Sequence, residues 1–157
     1  LRNPRDFFRA LAIDAPEPAR EIPLKPSRMI HFLDFSNEKM VAKVPDIAPT
    51  VDILLGNLED AVPVDRKLAA RAGLIKVGRE MDMGDTALWT RVNELASPWV
   101  LDDLTELVGE IGDKLEVIMV PKVEGPWDIH YVDRLLAQLE AKAGLERPIL
   151  VHAILET

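Results

Sequence analysis

Five short apolar runs rich in β-branched residues recur along this chain, and each of the first four is followed by a polar junction and an amphipathic stretch of helical period. That alternation narrows the fold more than any other feature. A strand buried on both faces needs helices to cover it, and parallel strands are joined through such helices, so the pattern specifies βα units around a parallel sheet. Strands are expected over 28–33, 51–58, 87–92, 115–120 and 148–155, with helices between them. In the helix beginning at Ser97, that serine suits the N-cap and Pro98 the first helical position. Asp102 and Asp103 then favour the positive end of the dipole, Leu101, Leu104, Leu107, Val108 and Ile111 form the apolar stripe, and Gly112 is expected as a left-handed stop. Residues 126–143 repeat the plan, with Val132, Leu135, Leu136 and Leu139 on one face and Gly144 at the end. A third helix is expected over 64–79, and a shorter one over 37–44 that Pro45 interrupts.

Residues 1–27 hold Pro4, Pro16, Pro18, Pro23 and Pro26 of the 12 prolines and read as an extended arm lying over a second unit, residues 28–157. Four βα units and a fifth strand are slightly more than half of a (β/α)8 TIM barrel, which takes roughly 250 residues. The expected fold is therefore α/β, with this chain carrying the N-terminal part of a TIM barrel and inactive by itself. The competing open, doubly wound sheet has no support in glycines: residues 33–36 read Leu-Asp-Phe-Ser, and no phosphate-binding loop follows any strand.

A net charge of -8, from 27 acidic and 19 basic residues, argues against nucleic acid or an anionic membrane as partner. The absence of cysteine excludes disulfides, thiolate nucleophiles and zinc–thiolate sites. No apolar stretch nears the roughly 20 residues that span a bilayer, and residues 1–20 carry charges throughout, so a cytoplasmic location is expected.

Strand ends carry the chemistry. The runs end in Glu59 and Asp60, in Arg91 and Asn93, in Lys122 and Glu124, and in Glu156, and carboxyl ends of parallel strands converge on one face. Alternation places Trp89, Arg91 and Asn93 on one side, likewise Val120, Lys122 and Glu124, and likewise His152, Ile154 and Glu156. Glu59 and Asp60 are adjacent, so one is expected to face the site while the other caps or braces the turn, unless loop amides or Arg66 and Lys67 satisfy both. Lys122 and Glu124 have mutual pairing as their bland alternative, and Arg91 has a strand-end carboxylate. Glu156 would be costly to bury without a cation or donor. Carboxylates without thiolates suit a hard cation, magnesium or manganese, with Glu156 as first candidate ligand. Such an ion can hold a 2-oxo acid by carboxylate and carbonyl while Arg91 neutralises charge, a pairing suited to making or breaking a carbon–carbon bond beside a carbonyl. His31 and His152 read as hydrogen-bonded strand residues and His130 as a helix residue, with no zinc spacing. Trp89, Trp99 and Trp127 read as packing residues, and no serine-hydrolase elbow is present.

The segments GNLEDAVP at 56–63, LWTRVN at 88–93, SPWVLDD at 97–103, VIMVPKVEGPWD at 117–128 and HAILET at 152–157 resemble the citrate lyase beta-subunit-like aldolases. Within that family they look most like the malyl-CoA and β-methylmalyl-CoA lyases. The resemblance implies a (β/α)8 barrel in trimers or hexamers and magnesium-dependent, reversible Claisen-type cleavage. A 3-hydroxyacyl-CoA such as malyl-CoA would yield glyoxylate and acetyl-CoA, or propionyl-CoA from the β-methyl substrate. It implies Glu156 as metal ligand, Arg91 as the contact to keto acid and enolate, and Glu59 and Asp60 as the acidic pair near the metal. Lys122 and Glu124 fall in its strand-four motif, and Asn93 joins Arg91, Lys122 and Glu124 as a substrate-binding candidate. The family's second metal-binding aspartate and a further catalytic aspartate would fall beyond Thr157. Residues 32–37 stand where many relatives carry a Gly-Pro loop for coenzyme A, which leaves Arg28 and Lys39 as candidate contacts. A hydroxy-keto-acid aldolase, an acyl-CoA thioesterase on the same scaffold, or an inactive half-barrel are the alternatives.

Overall fold

A computed structural model describes residues 9–22 and 25–156; Pro4 and Pro23 of the arm and the terminal Thr157 lie outside this range. The five apolar runs form one parallel sheet in sequential order: β1 (Ile30–Leu33), β2 (Ile53–Asn57), β3 (Ala87–Arg91), β4 (Leu115–Val120) and β5 (Leu150–Ala153). Between them lie α1 (Glu38–Val41), α2 (Val44–Ile47), α3 (Lys67–Glu80), α4 (Val100–Ile111) and α5 (Pro126–Ala143). Sequential order has no reversal point, so it is an arc of barrel wall rather than the crossed order of a doubly wound sheet.

Each strand's alternation divides the core in two. Leu33, Leu54, Leu88, Ile118 and Val120 pack outward with Leu74, Leu104, Leu107 and Leu136 of the helices. On the other face Leu55, Val117 and Met119 form a smaller cluster with Ile30, Trp89, Leu150 and Ile154, all of them from the strands or the residue just after β5. Helices on one side and a layer of strand side chains on the other is the section of a barrel, with the second cluster inside. Among the described residues no helix is long and apolar enough to cross a membrane.

Four local expectations are corrected. Helix α4 starts at Val100 rather than after Ser97, because the N–H of Ser97 closes a turn on the carbonyl of Glu94 and Trp99 becomes the N-cap. Gly112 ends that helix in right-handed conformation at φ -58; a Cβ there would lie 2.5 Å from the Val108 carbonyl oxygen and 2.9 Å from Leu145, so close approach is what requires glycine. Gly144, by contrast, is left-handed at φ 67 and accomplishes the stop expected of it after α5. Pro45 lies in the first turn of α2, where a missing N–H costs nothing, and the break falls before it at Ala42 and Lys43. His152 is exposed on the inner face with its ring edge-on to Trp89 at 6.1 Å, so it is not the hydrogen-bonded core residue expected.

Candidate active site

The carboxyl ends of β2, β3, β4 and β5 gather one polar cluster. Asn57 and Arg91 are register partners on the inner face, and the Asn57 carboxamide oxygen accepts the Arg91 Nε–H at 2.9 Å and the Glu59 backbone N–H at 3.1 Å. Arg91 Nη2 then lies 3.3 Å from Glu59 Oε2, and its guanidinium stacks 5.7 Å from the Phe32 ring centroid. Glu59 is 2% exposed, which makes the two cations around it obligatory. The second is Lys122, whose Nζ is 2.9 Å from Glu59, 3.3 Å from Asp60 and 3.1 Å from Glu94. The Glu59 and Glu94 carboxylates beside it hold the Lys122 ammonium well above the usual lysine value, so it stays charged.

Lys122 gets there by an irregular route. Its backbone is left-handed at φ 52, so the chain leaves strand alternation: Val120 packs outward with the helices while Lys122 turns onto the inner cluster. The N–H of Lys122 then reaches Glu156 Oε1 at 3.3 Å, because Ile154 pairs with Val120 and Val123 and carries the end of β5 alongside.

Glu59, Asp60, Arg91 and Lys122 are therefore brought together; Glu156, expected as a strand-end acid that burial would penalise, is exposed and joins them only through the Lys122 backbone N–H. Asn93 and Glu124 are not. Asn93 is buried toward α4, with its backbone N–H and carboxamide both donated to Asp103 Oδ2 at 3.2 and 2.6 Å, and Asp103 is in turn paired with Arg71 at 2.8 Å. Glu124 is exposed, and its backbone N–H bonds Asp128 at the start of α5; it does not pair with Lys122. Of the coenzyme A candidates, Arg28 lies before β1 at the opposite end of the sheet and binds Asp52, through its backbone at 2.8 Å and its guanidinium at 3.8 Å. Lys39, exposed in the first turn of α1, lies at the site's end of the sheet. Lys67 does not meet the Glu59 carboxylate as one alternative had it. Its ammonium donates to the carbonyls of Leu58 and Glu59 at 2.7 and 3.0 Å, and burial pushes it below the usual lysine value.

Asn57 and Glu94 are members that sequence reasoning passed over. Extending the alternation one step inward from Glu59 would have found Asn57; Glu94 carries no such signal.

The donor chemistry fits a hard cation. Both oxygens of Glu59 are buried and, although within ion-pair distance of Arg91 and Lys122, neither receives a well-directed hydrogen bond. Among the described residues no three metal-ligating side chains converge.

The sequence of residues 28–157 matches the HpcH/HpaI aldolase/citrate lyase family. The chain belongs to that family. A malyl-CoA/β-methylmalyl-CoA/citramalyl-CoA lyase of Chloroflexus aurantiacus is 59% identical over 97% of this chain and 44% of its own length. An L-malyl-CoA/β-methylmalyl-CoA lyase of Cereibacter sphaeroides is 33% identical over 86% of this chain and 42% of its own. The chain thus spans less than half the length of these family members. A solved magnesium/glyoxylate complex of Haloferax volcanii malate synthase superposes with a TM-score of 0.69 over 83% of this chain and 43% of that one; at 17% identity the likeness is one of fold, the TIM barrel.

Proposed function

We propose that this chain supplies the N-terminal part of the catalytic barrel, with residues 1–27 as an arm, of a magnesium-dependent lyase. The intact protein would cleave malyl-CoA or β-methylmalyl-CoA reversibly to glyoxylate and acetyl-CoA or propionyl-CoA. The observation that carries the reading is the meeting of Arg91, Lys122, the buried Glu59 and Glu156 at adjacent strand ends, joined to the 59% identity with a protein named for this substrate set.

In cleavage, the substrate hydroxyl loses its proton, the bond between the carbinol carbon and the carbon α to the thioester breaks, and its electrons pass to an acyl-CoA enolate as glyoxylate forms; the enolate then takes up a proton at its α carbon to give the acyl-CoA product. Arg91 engages its Nε and Nη2 within the protein and has no partner for Nη1 among the described residues, so that edge meets the keto-acid carboxylate and the enolate charge. Glu59 keeps Arg91 and Lys122 in place without neutralising either completely. Lys122 holds Asp60 and Glu94 at the rim, and its backbone orients Glu156. Glu156 would ligate the metal, with Glu59 and Asp60 available to its waters; when bound, such an ion polarises the keto-acid carbonyl.

Assay of the intact protein with malyl-CoA should release glyoxylate, trapped as its phenylhydrazone, only when magnesium is present. Glu156→Ala should lower turnover by more than about a hundredfold, the scale of several kcal/mol of lost charge stabilisation. Undiminished turnover in that variant at saturating magnesium would remove Glu156 from the mechanism.

A further inference from the structure

Arginine is a useful anion receptor only when its plane is fixed, since the guanidinium fork recognises a carboxylate by direction as well as charge. Here one oxygen sets that plane. Asn57 closes β2 on the inner face, is 3% exposed, and lies directly across from Arg91 in the strand register. Its carboxamide oxygen takes the Arg91 Nε–H at 2.9 Å while also accepting the Glu59 N–H at 3.1 Å. Because the guanidinium is planar, anchoring Nε and holding Nη2 3.3 Å from Glu59 leave Nη1 as the outward edge, and the Phe32 ring covers a face at 5.7 Å. The same oxygen fixes the turn on which Glu59 stands, so both members of the Arg91–Glu59 pair are referred to one atom.

We propose that Asn57 is a positioning residue that aims the Arg91 fork at the anionic end of the substrate. With the lyase reading, on which this part rests, that anion is the 2-oxo acid rather than the coenzyme A thioester. Removal of Asn57's acceptor therefore weakens one substrate and spares the other, an asymmetry that general loosening of the fold does not produce.

The test uses the intact protein in the condensation direction. Asn57→Leu keeps the volume without the acceptor, and Asn57→Asp keeps the acceptor. Losing a hydrogen bond to a charged group predicts that Asn57→Leu raises KM for glyoxylate about tenfold or more while KM for acetyl-CoA stays within about twofold. Asn57→Asp should recover most of the glyoxylate loss. An unchanged glyoxylate KM in Asn57→Leu, equal losses for both substrates, or an Asn57→Asp as impaired as Asn57→Leu overturns the proposal. If Asn57→Leu does not fold, Asn57→Ala takes its place. A second readout does not depend on turnover: the Arg91 Nε–H signal in 15N-resolved NMR, assigned by its loss in Arg91→Lys, should exchange slowly in wild type and Asn57→Asp and quickly in Asn57→Leu. Equal exchange in all three overturns the positioning role even if the protein acts on another substrate. The expected pattern without glyoxylate turnover leaves the positioning intact and refutes the lyase reading alone.

Discussion

Lys122 shows how one residue's backbone can create a site. A non-glycine residue at φ 52 is uncommon and persists only where its surroundings fix it, here three carboxylates within 3.3 Å of its ammonium. Its raised pKa means that its contribution to stability is complete below the ordinary lysine value of 10.5 and declines only as pH climbs beyond it, so it is constant through neutrality. Glu140 behaves differently. Burial pushes its carboxyl up, the Ile149 N–H bond opposes this, and Asp133 adds to it. A raised folded-state value adds stability at acid pH that is lost as pH rises through it, so at pH 7 the buried carboxylate is a burden. Glu140→Gln, which retains an acceptor for Ile149, should raise Tm at pH 7 by about 2–4 °C, the equivalent of about 1 kcal/mol in a domain of this size. The advantage should shrink as pH falls toward 4; a difference independent of pH would contradict this account of Glu140. Placement in the cluster was legible where strand alternation was regular, as for Arg91. Lys122 was expected there as well but arrives by a left-handed break rather than by alternation from Val120, alternation could not choose between Glu59 and Asp60, and Asn57, a polar side chain within an apolar run, was passed over.

At the scale of elements, α3 and α4 are tied to the end of β3 by a buried ionic hub. Arg71 donates to Asp103 at 2.8 Å and to Glu106 at 2.9 Å, and Asp103 holds the backbone and carboxamide of Asn93 two residues beyond Arg91. Arg71→Leu strands a carboxylate that is 1% exposed and should cost about 3–5 kcal/mol in denaturant unfolding, whereas Glu106→Ala, which removes a half-exposed partner, should cost about 1 kcal/mol or less. Equal costs would mean that Asp103 finds another partner. This hub also explains why helix starts were read unevenly. Helix α5 spans Pro126–Ala143 as its apolar spacing and terminal glycine indicate, since local signals and packing agree there. Ser97 and Pro98 signal a helix start, but the 94–97 turn and the clasp of Asp103 on Asn93 delay it to Val100. A tertiary contact of that kind leaves no mark in local spacing.

For the whole molecule, parallel strands in sequential order with helices on one face make a barrel wall, and its carboxyl end gathers the charged residues. The barrel wall was legible because apolar runs alternate with stretches of helical period along the whole chain. The composition of the cluster depended on side-chain directions that only packing fixes, which is why Asn93 and Glu124 were expected in it and lie elsewhere; Arg28, expected as a coenzyme A contact, precedes β1 and so lies at the other end of the sheet. The central claim is that adjacent strand tips form one site for a divalent ion and a keto acid. It is tested most directly by a crystal structure of the intact protein with manganese and glyoxylate, using the anomalous signal to locate the metal. The account predicts a manganese peak coordinated by Glu156, with the glyoxylate carboxylate against Arg91; a peak away from Glu156, or glyoxylate bound out of reach of Arg91, would contradict it.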